Sequence, residues 1–155
     1  MAHVQDVAAY ILRERGPMSA MKLQKLCYFS YGYHLAWEER PLLPEPFEAW
    51  ANGPVSPSLY RLHRSQFTVS PGDIPGDPDA LDAGEKESVD LVLGAYAGFS
   101  AHQLSAFTHA AGPWVRARAR AGAGQLDRSD ERLTDRDIFE YFDALTAADA
   151  SGREE

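Results

Sequence analysis

Cysteine is nearly missing from this chain of 155 residues. Cys27 stands alone, so no internal disulfide can form and no multi-cysteine zinc site can assemble. A lone thiol suits a reducing cytosol rather than a cystine scaffold. Long apolar runs are missing too, none approaching the roughly 20 residues that a bilayer crossing needs. The opening MAHVQDVAAYILRERG carries acids and lacks a basic start, apolar core and cleavage site in that order, which predicts no signal peptide. Basic charge is scarce. Fifteen Lys and Arg against 23 Asp and Glu leave a net charge of −8, and an acidic molecule repels the phosphate backbone that nucleic-acid binders neutralise. What is present, 45% hydrophobic and 25% charged residues, is the composition of an ordinary folded domain and not of a disordered chain. The length fits one domain with a core large enough to need no staples.

The charge is unevenly spread. Residues 71–90 hold seven acids and only Lys86, and residues 127–155 hold ten acids and four arginines. Between them, 91–126 contain Arg116, Arg118 and Arg120 and no acid. That arginine cluster offers an anionic partner a local contact, but its spacing gives no groove geometry, and it reads first as a solvated helix face or loop.

Apolar spacing predicts helix at 3–15, through Val4, Val7, Ala8, Ile11 and Leu12, stopped by Gly16-Pro17. Ser19 caps a second helix over about 20–38. Phe47 to Ala51 reads as a short strand ended by the turn signal Asn52-Gly53-Pro54. Ser56-Pro57 opens a helix to about Gln66, and Phe67-Thr68-Val69 reads as a second short strand. The stretch 70–84, SPGDIPGDPDALDAG, is an acidic Pro/Gly surface loop. Helices follow at 85–98, at 101–111 behind Ser100, and after Gly112-Pro113. A last helix, capped by Thr134, turns Ile138, Tyr141, Phe142 and Leu145 inward. The sum is a mainly α (α+β) chain: a compact six- to seven-helix domain over 1–147 with a small antiparallel β element, then a flexible acidic tail at 148–155.

The second helix departs from an ordinary amphipathic pattern. At 100° per residue, Leu23, Leu26, Cys27, Ser30, Tyr33, His34 and Trp37 form one stripe, and Gln24, Tyr28, Tyr31 and Leu35 form another. A helix apolar on two faces is either central in a bundle or lends one face to a partner. The aromatics of YFSYGY suit an interface, because tyrosine buries a ring at low entropy cost and hydrogen-bonds at its tip.

Catalytic constellations are absent from the pattern. Cys27 and His34 lie two helical turns apart, roughly 10 Å along the axis, too far for a thiol–imidazole bond. His102 and His109 share that spacing, whereas a helical metal pair needs histidines three or four apart. No HExxH, GxSxG, Walker loop or GxGxxG occurs, and the acids at 73–82 lack the calcium-loop order. No metal and no cofactor are expected.

Three blocks together carry a resemblance: MKLQKLCYFSYGYHLAW (21–37), FEAWANGPVSPSLY (47–60) and LSAFTHAAGPWVRAR (104–118). In that order they resemble the Panacea, or SocA-like, antitoxin domain, also met as a phage-associated protein family. The resemblance implies a compact, mostly helical domain that neutralises a toxin encoded nearby by direct binding, with no enzymatic step. One branch of the family also delivers its toxin to a cellular protease. Carried over residue by residue, the match implies partner-binding candidates at Lys22, Gln24, Lys25, Tyr28 and Tyr31 in the first block. It adds Trp50, Gly53, Pro54, Val55 and Tyr60 in the second, and His109 and Trp114 in the third. Cys27 departs from the pattern, standing where an aliphatic is usual, and Tyr33 stands where tryptophan is often seen. The expected partner is a cognate protein toxin, with no membrane and no nucleic acid, and self-association is left open. The readings in competition are a protease adaptor, a small enzyme using His109 or His34, and a DNA-associated regulator using Arg116, Arg118 and Arg120.

Overall fold

Caps and periodicity set the element boundaries in a computed structural model, which describes residues 1–110 and 112–154. Helix α1 spans Val4–Arg15 and buries Val4, Val7, Ala8, Ile11 and Leu12, the expected stripe, together with Tyr10. Helix α2 spans Ala20–Glu38, with Ser19 Oγ accepting from Lys22 N–H as its cap. Strands β2 (Glu48–Trp50) and β3 (Gly53–Val55) form a hairpin, and Ser56 caps helix α3, Pro57–His63. After these come α4 (Ala83–Tyr96), α5 (Ala101–His109), α6 (Pro113–Ala121) and α7 (Asp135–Glu154). The mainly helical expectation holds, with seven helices and two small antiparallel sheets among the described residues.

Helix α2 is the axis of the molecule. Every residue from Leu23 to Leu35 is buried, because α1, α4, α5 and α7 pack around it together with the β2–β3 hairpin. Phe142 of α7 sits edge-on to Tyr28, Phe29 and Tyr33 of α2, with ring centroids 5.0 to 6.0 Å apart. Edge-to-face contacts of that kind add roughly 0.5–1.5 kcal/mol each beyond the area they bury. Gly32 lets the two helices meet, since a Cβ there would drive into the Phe142 ring.

Several expectations need correction. The stretch expected to be a turn, Asn52-Gly53-Pro54, reverses direction at Ala51-Asn52, and Gly53-Pro54 already belongs to β3. Pro54 stands opposite Ala49, whose N–H donates outward to Glu131 O, so the ladder asks no amide hydrogen of the proline. The second short strand, β4 (Thr68–Val69), pairs with β1 (Met18–Ser19) and not with the hairpin. Helix α3 ends at His63, three residues early. Helix α4 starts earlier than expected, because Asp82 and Glu85 close a capping box. The 70–84 excursion is anchored: Ile74 and Leu81 are buried in the core, and a 3₁₀ turn at Pro78–Ala80 lies on α1. Tyr31 is buried, which settles the open choice for the second helix in favour of a central place, while Trp37, expected in the core, is 41% exposed beyond the last enclosed turn of α2. Helix α7 runs to Glu154, and the tail expected at 148–155 falls on residues whose side chains, from 149 on, lie outside the described ones.

Candidate functional site

The three motif blocks of the sequence, far apart in the chain, meet at the β2–β3 hairpin. Gln24 of α2 acts toward it like a neighbouring strand. Its Oε1 accepts from Ser56 N–H at 2.8 Å, and its Nε2 donates to Ser56 O at 3.1 Å. The same amide nitrogen lies 3.0 Å from His63 Nε2, which must therefore accept and carry its proton on Nδ1. One helical residue on, fully buried Lys25 donates from Nζ to Pro54 O at 3.0 Å. Burial lowers the lysine pKa from its ordinary 10.5 to about 7, because little around the ammonium replaces its lost hydration. The close approach requires Gly53, at φ 121°: a Cβ there would stand 2.8 Å from Lys25 Cε and 3.2 Å from Thr108 Oγ1.

The third block closes the other side. Trp114 of α6 donates from Nε1 to Trp50 O at 2.7 Å, and its ring stacks on His109 with centroids 4.0 Å apart. His109 is exposed and hydrogen-bonds the Asn52 backbone. Partial burial first, and then the charges of Lys25 and Arg118, hold its pKa below the usual histidine value. Arg118 is the residue that sequence reasoning misjudged. It is buried, lies over the Trp114 ring, and donates to Ala49 O, Gly124 O and Asp127 O, tying the loop after α6 to β2. The spacing Trp114, Ala117, Arg118 on a single helix face was the signal for this. Arg116 and Arg120 pair with Asp137, Glu140 and Glu131, so the arginine cluster is largely spent inside the molecule.

Beside the hairpin opens a cleft of about 620 Å³. Met21, Ala51 and Val55 give it apolar lining, Glu48 and Trp50 one wall, and Arg128 to Asp130 the other. The Trp50 ring is fixed in place, since its Nε1 donates to Glu48 Oε1 at 2.9 Å and Tyr60 meets it edge-on at 4.9 Å. Met21 and Glu48 lie inside the quoted blocks yet are not among the implied partner-binding residues, and Asp130 lies outside the blocks altogether, because no motif marks a cleft lined by three separate segments.

The implied partner-binding residues thus divide into two sets. Gln24, Lys25, Tyr28, Tyr31, Gly53, Pro54, Val55 and Trp114 are buried. Tyr31 donates to Asp135 at 2.6 Å, joining α2 to α7. Lys22, Trp50 and Tyr60 are half-buried, and His109 is exposed. Lys22 Nζ donates to Ala97 O at the end of α4, away from the hairpin's own network. As for catalysis, His34 is fully buried and bonds Ser88 Oγ at 2.8 Å, and Cys27 is a buried thiol whose pKa burial pushes up. No set of three or more His, Cys, Asp or Glu is gathered as a metal site among the described residues. Nor is any described helix long and apolar enough to cross a membrane.

Comparison with known proteins places these residues in a family context. The family described as "Antitoxin SocA-like, Panacea domain" matches residues 23–115, which contain α2 from Leu23 on, the hairpin, α5 and the start of α6. A curated relative, "Antitoxin SocA" of Caulobacter vibrioides (strain NA1000 / CB15N), is 36% identical over 118 residues. That match covers 63% of this chain and 58% of the relative's length. No solved structure matches.

Proposed function

The chain belongs to the SocA-like antitoxin family of the Panacea domain, and from that premise we propose that it neutralises a cognate protein toxin by direct contact through the face around the hairpin. The observation that carries the reading is the convergence of the three motif blocks at the hairpin, where a buried lysine, a buried glutamine and Trp114 hold Trp50–Ser56 in one geometry beside an open cleft. Contact falls to the reachable members of the set, Trp50, Tyr60 and His109, while Gln24, Lys25, Gly53 and Trp114 position them. Lys22 contributes only if the interface extends toward the end of α4. Pre-positioning of this kind lowers the ordering cost of association, and tryptophan and tyrosine are enriched in interface hot spots. The chain spans 58% of the relative's length, so a toxin partner for this chain is part of the proposal.

Co-expression with the product of the adjacent gene tests it. A stable complex and rescued growth are expected, with Trp50→Ala weakening capture by about 2 kcal/mol or more, roughly thirtyfold. Absence of both complex and rescue would overturn the reading.

A further inference from the structure

We propose that the cleft beside Trp50 receives a basic side chain, an arginine before all others, from the partner's contacting segment; this rests on the toxin-binding reading above and names the chemistry of the contact. The cleft, about 620 Å³, lies within the ~300–1,000 Å³ range of sites that enclose small ligands, so it has room for one side chain with its flanking backbone. Its lining combines three features a guanidinium uses at once. Met21 and Ala51, both half-buried, offer apolar surface to the aliphatic stem, with Val55 buried at the cleft's lining. Trp50 offers an indole whose orientation is fixed by Glu48 and Tyr60, and tryptophan is the best aromatic partner of a cation. Two carboxylates complete the set. Glu48 uses Oε1 on the indole, and its Oε2 has no hydrogen bond among the described residues. Asp130, exposed on the facing wall, has neither a hydrogen bond nor an ion pair among them.

Charge decides the sign of the occupant. The chain carries −8 overall, and a cleft with carboxylates on two walls concentrates that field on an approaching cation. Arg128 also lines the cleft, yet it forms no ion pair with Glu48 or Asp130, so the two acids are not neutralised from within. A flat guanidinium suits the site better than an ammonium because it stacks on the indole and donates toward both carboxylates. The buried Lys25 network is not part of this lining and is closed to solvent.

The test needs no toxin. The full ¹⁵N-labelled chain is titrated with a capped Gly-Arg-Gly peptide and with the citrulline peptide that keeps its shape but loses its charge, following the Trp50 indole N–H resonance. The arginine peptide is expected to move that resonance saturably and at least about tenfold more tightly than the citrulline peptide. Glu48→Gln keeps an oxygen for the Trp50 indole, so the fold persists. Combined with Asp130→Asn it should abolish the difference between peptides, whereas Arg128→Ala should tighten arginine binding about twofold. Equal responses to both peptides, no response to either, or an unchanged response in the double variant overturns the proposal. Failure here leaves toxin capture standing, whereas a positive titration with no toxin complex sinks the functional reading and keeps the site.

Discussion

Lys25 is a charge kept in the core, and its energetics set a pH signature. In the unfolded chain the amine titrates near its ordinary 10.5, whereas in the folded chain burial brings it to about 7. Between those values the unfolded state holds the extra proton, so stability rises with pH across the window from about 7 to 10.5, by at most about 1.4 kcal/mol per pH unit. Below pH 7 both states are protonated and the slope vanishes. Lys25→Met should flatten this rise while keeping the volume filled. Urea melts of both proteins at pH 7 and pH 9 check it, and parallel curves would refute the burial of a titrating amine. Tyr31 makes the complementary point. Its ring is buried and its hydroxyl bonds Asp135, so Tyr31→Ala should cost about 3–5 kcal/mol in folding. The alternative left open by the sequence, a stripe lent to a partner, would give the opposite: a loss of capture with little loss of stability. Thermal melts beside binding measurements separate the two outcomes.

The pairing of α2 with α7 carries the core, and it depends on one glycine and one ring. Gly32→Ala forces Phe142 out of its nest among Tyr28, Phe29 and Tyr33, an overpacking change expected to cost about 1–3 kcal/mol. Phe142→Ala alone leaves a cavity and should cost about 3–5 kcal/mol. Because both act on one contact, the double variant should be less destabilised than the two single losses added together. A double-mutant cycle by chemical denaturation reads this directly, and strict additivity would show that the helices do not meet at Gly32. The hairpin is the second element that matters. Its conformation depends on Gln24, Lys25 and Trp114 rather than on its own short strands, since a two-stranded ribbon of this length is not stable alone.

For the molecule as a whole, the net charge and the arginines of α6 bear on the choice of partner. Arg116 and Arg120 face Asp137, Glu131 and Glu140, and Arg118 is enclosed. A duplex of DNA therefore meets no free basic stripe there, and mobility-shift titrations at low salt should show no complex. Tight, salt-sensitive binding would revive the regulator reading. Arg118 also ties Ala49 to Gly124 and Asp127, which connects β2 to the segment bearing Arg128 and Asp130. Arg118→Met should loosen that wall of the cleft, lowering partner affinity while helix content measured by circular dichroism stays near wild type.

The sequence by itself determined the helices and their caps, and narrowed α2 to two places, the centre of the bundle or an interface. Ser19, Ser56, Ser100 and Thr134 each have a local partner three residues on, and periodicity and capping are short-range physics. It also determined the family, through three blocks whose side chains hold one another. Only the tertiary structure decided which candidates are reachable, that α2 is central, that β1 and β4 pair across about a third of the chain, that Arg118 is interior, and that Met21, Trp50 and Asp130 share a cleft. Those outcomes turn on contacts between residues remote in sequence, and a burial or a cleft wall leaves no periodic trace in the segments that build it.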